Sequence, residues 1–260
     1  MQDLKITLIQ TEIVWEDISA NIALFDEKIN AINEKTDLVI LPEMFTTGFT
    51  LNAADLSQST DGSSIKWLQE KSNRIKADIT GSIIFKLNGK YFNRLFWARP
   101  NGELLTYDKK HLFRFAGEEE VYSAGENNIT VELKGWKIRP FICYDLRFPA
   151  WTRNIKNQYD IAVFIANWPE KRSSHWKSLL QARAIENQCY VIGVNRIGTD
   201  GNGLFYSGDS SIIDFHGKII FQKHDDGCTY TAKLSYHTLR EYRKTFPAWM
   251  DADIDMINFP

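Results

Sequence analysis

The feature that most constrains the fold is a pair of short segments, each with a continuous apolar run at its centre. DLVILPE at 37–43 and YDIAVFIAN at 159–167 both have the length of a strand. Runs of this kind are typical of strands in a sheet that helices cover on both faces. Ahead of the first run, apolar residues recur at spacings of four and three from Ile18 to Ile32, which predicts an amphipathic helix after the β-branched strand LKITLIQTEI. The chain therefore begins with strand, helix, strand.

The rest of the chain continues this alternation. The pattern predicts a second helix from Gly62 to Lys76 and a third over SSHWKSLLQARAIEN, with Ser173 or Ser174 as its cap. PAWTRNIKN predicts a short helix between two strands. Two pairs predict the turns of antiparallel hairpins, Asn88-Gly89 and Asn101-Gly102. The sum is an α/β layered fold with a mixed sheet and outer helices, and a chain of 260 residues is expected to form one domain, 1–260.

Charge and cysteine count limit the possible partners. The chain has 31 Lys and Arg against 33 Asp and Glu, a net charge of -2, so it lacks the basic surface that nucleic-acid binding requires. No apolar stretch approaches the roughly 18 residues of a membrane span, and the N-terminus has no secretory pattern, so we expect a cytoplasmic protein. Three widely spaced cysteines in such a protein argue against disulfide bonds.

Cys143 stands where an apolar strand gives way to polar residues, in RPFICYDLRFP at 139–149. The carboxyl end of a strand is where α/β proteins expose functional atoms. The position of Cys143, between a strand and a turn into a helix, resembles that of the nucleophile in a nucleophile elbow. The same thiol could instead be a buried cysteine that acts as a small apolar side chain. We expect that second role for Cys189 and Cys228, because neither is flanked by an arrangement of ionisable groups.

A reactive thiol needs a base and a nearby cation, and three segments could supply them. Glu43 ends the strand DLVILPE, where it could act as the base or cap the following loop. In YDKKHLFRF, strand alternation sends Lys109 and Lys110 to opposite faces, one of them inward. The acidic run 118–120 could hold the buried ammonium together with Glu43. Two histidines are nominal alternative bases, His111 and His175.

Three motifs resemble those of the nitrilase, or carbon–nitrogen hydrolase, superfamily: LPEMF, DKKHLF and CYDLRFP. The resemblance runs from the first strand to the last, and ANWPEKRSSHWKSLLQARAIENQ is similar to the bacterial ω-amidase branch. It implies an αββα sandwich with two mixed β-sheets, usually dimeric. It also implies that Glu43 is the general base, Lys110 the electrophilic cation and Cys143 the nucleophile. A second glutamate, seven residues before Gly125, would be Glu118, with Glu119 and Glu120 left open as alternatives.

The chemistry that this resemblance implies is amide hydrolysis through a thioester. Glu43 draws the proton from Cys143, the thiolate adds to the amide carbon, and Lys110 with the backbone N–H of Tyr144 stabilises the oxyanion. Ammonia leaves, and the same glutamate activates the water that hydrolyses the thioester. Glu118 would position Lys110 or the substrate. The scheme needs no metal and no cofactor.

Arg147, four residues after Cys143, suggests a substrate with a free carboxylate, because guanidinium binds carboxylates in a bidentate manner. The alternative is that Arg147 pairs with Asp145 to hold the loop. The ω-amidase resemblance makes 2-oxoglutaramate the leading substrate and succinamate a close analogue. Four further residues are expected to wall the pocket: Trp168, Ser173, Phe49 and Met44.

Three other functions fit parts of the pattern. A nitrilase, an N-carbamoyl amidase or a deaminated glutathione amidase would use the same thioester. A non-catalytic binding protein could be built on the same scaffold, although retention of all three reactive residues argues against it. A Cys–His hydrolase would depend on His175 rather than on Glu43. We also expect a homodimer, in which the tail FPAWMDADIDMINFP could dock on the partner subunit.

Overall fold

The computed structural model describes residues 2–252, and the elements below are those of this range. The strands are β1 (Leu4–Gln10), β2 (Leu38–Ile40), β3 (Asp78–Leu87), β4 (Lys90–Ala98), β5 (Leu104–Asp108), β6 (Val131–Leu133), β7 (Trp136–Ile142), β8 (Ile161–Ala166), β9 (Tyr190–Asn195), β10 (Ile197–Thr199), β11 (Phe205–Ile213), β12 (Ile219–His224) and β13 (Cys228–Leu234). The α-helices are α1 (Ile18–Asn30), α2 (Ala53–Leu56), α3 (Ser63–Ile75), α4 (Glu118–Val121), α5 (Ser173–Asn187) and α6 (Tyr236–Thr245).

The strands form two mixed sheets. The first has the order β13-β1-β2-β3-β4-β5, with β1, β2 and β3 parallel and the other neighbours antiparallel. The second has the order β10-β11-β9-β8-β7-β6, and β12 also pairs with β11. Strands β7, β8 and β9 are parallel. α1 joins β1 to β2, α2 and α3 join β2 to β3, and α5 joins β8 to β9, which places helices on the sheet faces, whereas the β7–β8 connection contains only 3₁₀ turns. The predicted α/β class with two mixed sheets and outer helices is confirmed.

The core has three apolar layers. The central layer joins the facing surfaces of the two sheets, for example Leu8 and Trp97 of the first with Ile138 and Val163 of the second. A second layer packs α1 and α3 on the outer face of the first sheet. A third packs α5 on the outer face of the second sheet. Each fully buried side chain of this size stabilises the fold by about 1.5–3 kcal/mol, so both faces of each sheet contribute. The result is the αββα layering.

Two local predictions fail for identifiable reasons. Helix α5 begins at Ser173 without a serine cap, because the Ser173 hydroxyl donates to Asp209 Oδ2 instead, at 2.8 Å. PAWTRNIKN forms only a 3₁₀ turn, Ile155–Asn157, rather than a short α-helix. The Asn154 amide bonds to both the N–H and the C=O of Tyr159, at 3.0 and 2.9 Å, which closes a loop in place of a helix.

Other local predictions are confirmed. Helix α3 matches the predicted range 62–76 to within one residue at each end. Asn88 and Gly89 both have positive φ, 49° and 78°, as the tight turn between β3 and β4 requires. Within residues 2–252, no helix combines the length and the apolar character needed to cross a membrane. The predicted docking tail extends into 253–260, which lies outside the described residues.

Candidate active site

The candidate site lies between the two sheets, where several strands end. Glu43 follows β2 and Lys109 follows β5 of the first sheet, while Cys143 follows β7 and Asn167 follows β8 of the second. Side chains at the carboxyl ends of parallel strands converge at one sheet edge. Here two such edges face each other, so residues more than one hundred positions apart along the chain meet.

Cys143 occupies a strained backbone position at the start of a 3₁₀ turn, Cys143–Arg147. Its φ is 45°, in the left-handed region that residues other than glycine rarely adopt. Such strain costs of order 1–3 kcal/mol and persists only where the surrounding structure enforces it. The thiol points into a pocket close to the Glu43 carboxylate, and it makes a weak donation to the backbone oxygen of Asn167, at 4.0 Å.

Glu43 is fully buried and held from three directions. Its Oε1 accepts hydrogen bonds from Asn93 Nδ2 at 2.8 Å and from Lys109 Nζ at 3.0 Å. Its Oε2 accepts from the backbone N–H of Asn167 at 2.7 Å, and Asn167 Nδ2 donates to the Glu43 carbonyl at 2.6 Å. Asn167 thus joins the end of β8 to the end of β2, which fixes the carboxylate between the sheets.

The lysine in the site is Lys109, not Lys110. Lys109 is fully buried, and its Nζ contacts Glu43 and both carboxylate oxygens of Glu118, the latter at 2.9 Å. Lys110 instead places its ammonium 5.2 Å from the ring centre of Trp151. The reason is strand alternation, since Lys109 shares the inward face with the buried Tyr107 two residues earlier. The assignment of the cation to Lys110 is therefore corrected.

Glu118 is the member of the acidic run that enters the site. It is fully buried, and its Oε2 also accepts from the backbone N–H of Phe113 at 2.6 Å. Glu119 lies 3.8 Å from Arg114, and Glu120 is exposed. The alternatives that the sequence left open thus resolve in favour of Glu118.

The electrostatics of the cluster favour a charged lysine and a neutral thiol. Burial lowers the pKa of Lys109, but the charges of Glu118 and Glu43 outweigh it and raise the pKa well above its usual value. Burial raises the pKa of Cys143, and the charge of Glu43 raises it further. Burial also raises the pKa of Glu118, although Lys109 opposes the change. The resting cluster therefore carries its positive charge on Lys109, and its negative charge lies on carboxylate oxygen rather than on sulfur.

The thiol opens into a small pocket with a cavity volume of about 60 Å³, which leaves room for a short molecule only. Its walls are largely aromatic, and they include the predicted residues Trp168 and Phe49 together with Tyr144. Arg147 also lines the pocket, with its guanidinium 4.8 Å from the Trp168 ring centre, as does a second arginine, Arg172. Burial lowers the pKa of Arg147, and the positive charge of Arg172 lowers it further, so the two guanidiniums lie near each other.

Neither arginine has an acidic partner in the part of the chain that the structure describes. No carboxylate of residues 2–252 lies within 4.0 Å of a nitrogen of Arg147 or Arg172. The alternative pairing of Arg147 with Asp145 does not occur, since Asp145 instead accepts hydrogen bonds from Tyr107 and His111. Two guanidiniums without a carboxylate partner in residues 2–252 give this part of the pocket a positive charge that complements an anionic group.

Two predicted wall residues lie elsewhere. Ser173 bonds to Asp209 and does not line the pocket, because it begins α5 on the side that faces β11. Met44 packs in an apolar cluster with Ala53, Ile84 and Tyr122. Three further residues of the site were not predicted from the sequence: Asn93, Asn167 and Arg172. Asn167 ends a predicted strand next to the predicted wall residue Trp168, a position that could have indicated it.

Within residues 2–252, neither a histidine base nor a set of metal ligands lies around the thiol. His175 Nδ1 lies 3.1 Å from Arg147 Nη2, and His111 bonds to Asp145. In the part of the chain that the structure describes, no histidine hydrogen-bonds Cys143, and no three His, Cys, Asp or Glu side chains are grouped as metal ligands. The arrangement therefore offers one nucleophile, Cys143, one adjacent carboxylate, Glu43, and one cation, Lys109.

Comparison with known proteins identifies the family. The carbon–nitrogen hydrolase family matches residues 5–244, nearly the whole chain. This chain belongs to the carbon–nitrogen hydrolase family. The assignment agrees with the nitrilase-superfamily resemblance of the three motifs, and it makes the protein a hydrolase of carbon–nitrogen bonds other than peptide bonds.

Individual relatives of this carbon–nitrogen hydrolase cover it almost completely. It is 48% identical to the omega-amidase YafV of Escherichia coli (strain K12), over 97% of this chain and 98% of that protein. It is 34% identical to the 2-oxoglutaramate amidase of Bacillus subtilis (strain 168), over 96% and 98%. The crystal structure of XC1258 from Xanthomonas campestris, a CN-hydrolase superfamily protein with an arsenic adduct in its active site, superimposes with a TM-score of 0.95 at 43% identity, over 97% and 98%.

Proposed function

We propose that this protein is an ω-amidase that hydrolyses the terminal amide of small dicarboxylate monoamides, of the 2-oxoglutaramate and succinamate type, to a carboxylate and ammonia. The observation that carries the proposal is the presence, in one small pocket, of Cys143 and of two guanidiniums, Arg147 and Arg172, that have no carboxylate partner within residues 2–252. The names of two full-length relatives, an omega-amidase and a 2-oxoglutaramate amidase, support the same substrate class.

The first step transfers a proton from Cys143 to Glu43. Because the thiol is neutral at rest, the thiolate forms only as sulfur attacks the amide carbon and Glu43 takes its proton. The transfer moves a negative charge of the cluster from carboxylate to sulfur without changing the total. Lys109 stays paired with Glu118 throughout, so its ammonium remains charged for the next step.

The second step stabilises the oxyanion and releases ammonia. As the amide carbon becomes tetrahedral, its oxygen gains a negative charge. We assign the stabilisation of this oxyanion to Lys109 Nζ and the backbone N–H of Tyr144. Each such donor is typically worth a factor of about 10²–10³ in rate. The protonated Glu43 then gives its proton to the departing nitrogen, the carbon–nitrogen bond breaks, and an acyl thioester on Cys143 remains.

The third step regenerates the enzyme. Glu43, again a carboxylate, takes a proton from a water molecule whose oxygen attacks the thioester carbon. The carbon–sulfur bond breaks, the carboxylic acid product leaves, and sulfur recovers the proton from Glu43. The single carboxylate therefore acts twice as base and twice as acid.

Arg147 and Arg172 select the substrate by its free carboxylate. Trp168 backs the guanidinium of Arg147, and Phe113 backs that of Arg172, with its ring centre 5.2 Å away. Arg147 Nη2 contacts His175 Nδ1, and the other N–H groups of the two guanidiniums are left to donate to a carboxylate at the far end of a short substrate.

The decisive experiment is an ammonia-release assay with matched substrates. Succinamate is compared with a neutral amide of the same length in which a methyl ketone replaces the carboxylate, and 2-oxoglutaramate is measured beside them. We expect kcat/KM for succinamate to exceed that for the neutral amide by about 100-fold, since charged hydrogen bonds contribute about 1.5–3 kcal/mol each. Equal values for the two would contradict the proposal.

Two variants locate the preference in the pocket. Arg147→Met and Arg172→Met are each expected to reduce kcat/KM for succinamate by about tenfold or more while changing the neutral amide little. Arg74→Met, which removes a guanidinium from the exposed end of α3, is the matched control and should change neither substrate. A uniform loss on both substrates would show that the arginines shape the pocket without recognising the carboxylate.

We further propose a cytoplasmic homodimer. Apolar side chains remain exposed on α5 and on the edge strand β12, namely Ile185, Ile219 and Ile220. A self-complementary contact through such a surface is the commonest form of homo-oligomer. Sedimentation equilibrium of the native protein and of an Ile185→Glu variant tests it, with a monomeric native protein as the contrary result.

A further inference from the structure

Asp145 is a buried carboxylate that the reaction scheme does not use. It lies two residues after Cys143 and is fully buried. Within residues 2–252, no lysine or arginine nitrogen approaches it to within 4.0 Å, and the ionisable side chains that contact it are those of Tyr107 and His111. A buried carboxylate in this situation depends on hydrogen bonds for its stability. The question is what this carboxylate holds together.

Four donors from three segments converge on Asp145. Its Oδ2 accepts from the hydroxyl of Tyr107 at 2.7 Å and from the backbone N–H of Ile142 at 3.0 Å. Its Oδ1 accepts from the backbone N–H of His111 at 2.9 Å and lies 2.8 Å from His111 Nδ1. Because a carboxylate only accepts, Nδ1 carries the proton of that ring. Every acceptor position is thus in use.

These donors bracket the two reacting groups along the chain. Tyr107 and His111 lie two residues on either side of Lys109, and Ile142 directly precedes Cys143. The strands that carry them, β5 and β7, belong to different sheets, so no backbone ladder joins them. Asp145 therefore makes the polar connection between the segment that carries the ammonium and the turn that carries the thiol.

The connection is rigid on both sides. Trp151 Nε1 donates to the Tyr107 hydroxyl at 3.0 Å, which directs the hydroxyl proton toward Asp145. Burial raises the pKa of Tyr107 well above its usual value, and the charge of Asp145 raises it further, so this donor keeps its proton. On the other side, the bond to Ile142 closes the turn in which Cys143 has its left-handed backbone.

We propose that Asp145 is a positioning residue that sets the distance and angle between the Cys143 thiol and the Lys109 ammonium. It touches neither substrate nor reacting atoms. The proposal rests on the roles given above to Cys143 and Lys109. Misplacement of reacting groups by about 1 Å can cost about 100-fold in rate, so a residue of this kind affects turnover more than substrate affinity.

The test compares Asp145→Asn with Asp160→Asn. Both Asp145 Oδ atoms receive two donors, so either orientation of the asparagine amide turns its NH₂ group toward donors and breaks the junction. Asp160 is the matched control, since it too is buried and bonded, to Arg243 and to the backbone N–H of Lys137, but outside the pocket. Activity is scaled to the folded fraction from circular dichroism.

We expect Asp145→Asn to lower kcat about 100-fold with KM changed less than about threefold, and Asp160→Asn to leave both nearly unchanged. Alkylation of Cys143 by iodoacetamide needs no oxyanion stabilisation, so it should slow far less than turnover. If Asp145→Asn does not fold, Tyr107→Phe, which removes one donor, should lower kcat about tenfold at constant KM.

Several outcomes would overturn the inference. The first is a folded Asp145→Asn variant, or a Tyr107→Phe variant if Asp145→Asn does not fold, whose kcat is within about twofold of the native value. The second is an equal loss of turnover and of alkylation rate. The third is an equal loss of kcat in the Asp160→Asn control. Cys143→Ala in the same assay separates this failure from that of the proposed function. If Cys143→Ala retains turnover, the reaction scheme is wrong, whatever Asp145 does.

Discussion

Cys143, which is partly buried, and Cys189, which is fully buried, both lie near an acidic and a basic side chain, yet only one of the two thiols opens into a pocket. Burial is the largest cause that raises the pKa of each, and it brings Cys189 to about 12. Cys189 lies in the outer apolar layer near Asp160 and Arg243, which bond to each other at 2.7 Å. Cys143 instead lines a pocket beside Glu43.

The difference teaches that neighbouring charges alone do not make a thiol reactive. Around Cys189 the ion pair is satisfied internally, because Arg243 also donates to the backbone oxygens of Tyr159 and Gln188. Around Cys143 the lysine has a second carboxylate of its own, Glu118, so Glu43 can accept a proton while the ammonium stays paired. Access for substrate and a spare base distinguish the two sites.

The largest expected effect separates the two thiols directly. Cys143→Ala should lower kcat on succinamate by about 10⁴-fold or more, because loss of a nucleophile removes the covalent route. Cys189→Ala should leave kcat within about threefold, since the residue lies in the outer layer of the core. Ammonia release by the two purified variants measures both, and comparable activities would erase the distinction.

Substitution of Glu43, the proposed base, should lower the rate of turnover while it makes the Cys143 thiol easier to ionise. Glu43→Gln should lower kcat by about 10²–10⁴-fold, the usual contribution of a general base. It should also lower the pKa of Cys143, because the charge of Glu43 raises that pKa in the native enzyme. Thiolate absorbance against pH, corrected with Cys143→Ala, measures the shift. A thiol that ionises at higher pH in Glu43→Gln would contradict the charge assignment.

The two adjacent lysines provide an internal control for the cation. Lys109→Gln should lower kcat by about 10²–10³-fold, as expected for loss of an oxyanion donor. Lys110→Gln should change kcat by less than about threefold, because that ammonium lies on the indole of Trp151. Steady-state kinetics of the pair decide the matter, and the reverse ranking would restore Lys110 as the reactive cation.

The smallest effect concerns stability at alkaline pH and involves Cys189 alone. Its pKa rises from 9.0 to about 12 on folding, so above about pH 9 the unfolded chain has lost a proton that the folded chain keeps. Unfolding is then favoured as pH rises, by about 1.4 kcal/mol at about pH 10. Urea unfolding of the native protein and of Cys189→Ala at about pH 7 and 10 measures it. The destabilisation caused by Cys189→Ala should shrink at the higher pH, and an unchanged difference would contradict the shift.

Much of the fold and part of the site could be predicted from the sequence. Apolar runs and hairpin turns indicate strands through local physics, and a strand end is visible in the letters around Glu43 and Cys143. The motif resemblance alone placed the cation at Lys110. Strand alternation could have distinguished Lys109 from Lys110 with one further fact, that the aromatic Tyr107 faces inward. That fact would have selected Lys109.

The missed residues depend on how the two sheets face each other. Asn93 lies within β4, where nothing local marks it as a site residue, and the strand end at Asn167 indicates a place at the sheet edge but not its contact with Glu43. Arg172 resembles any surface arginine until the packing of α5 brings it beside Arg147. The short helix predicted after Pro149 failed because an asparagine side chain closed a loop there, a competition that helix periodicity does not register.

The positive φ of Cys143 bears on how this enzyme tolerates change. Glycine is the residue that such a backbone angle suits best, so at this position the amino acid that would relax the chain is also one without a nucleophile. Mutational drift toward a more durable protein would here yield an intact but silent scaffold. Selection for activity must hold this position against the preference of the fold itself.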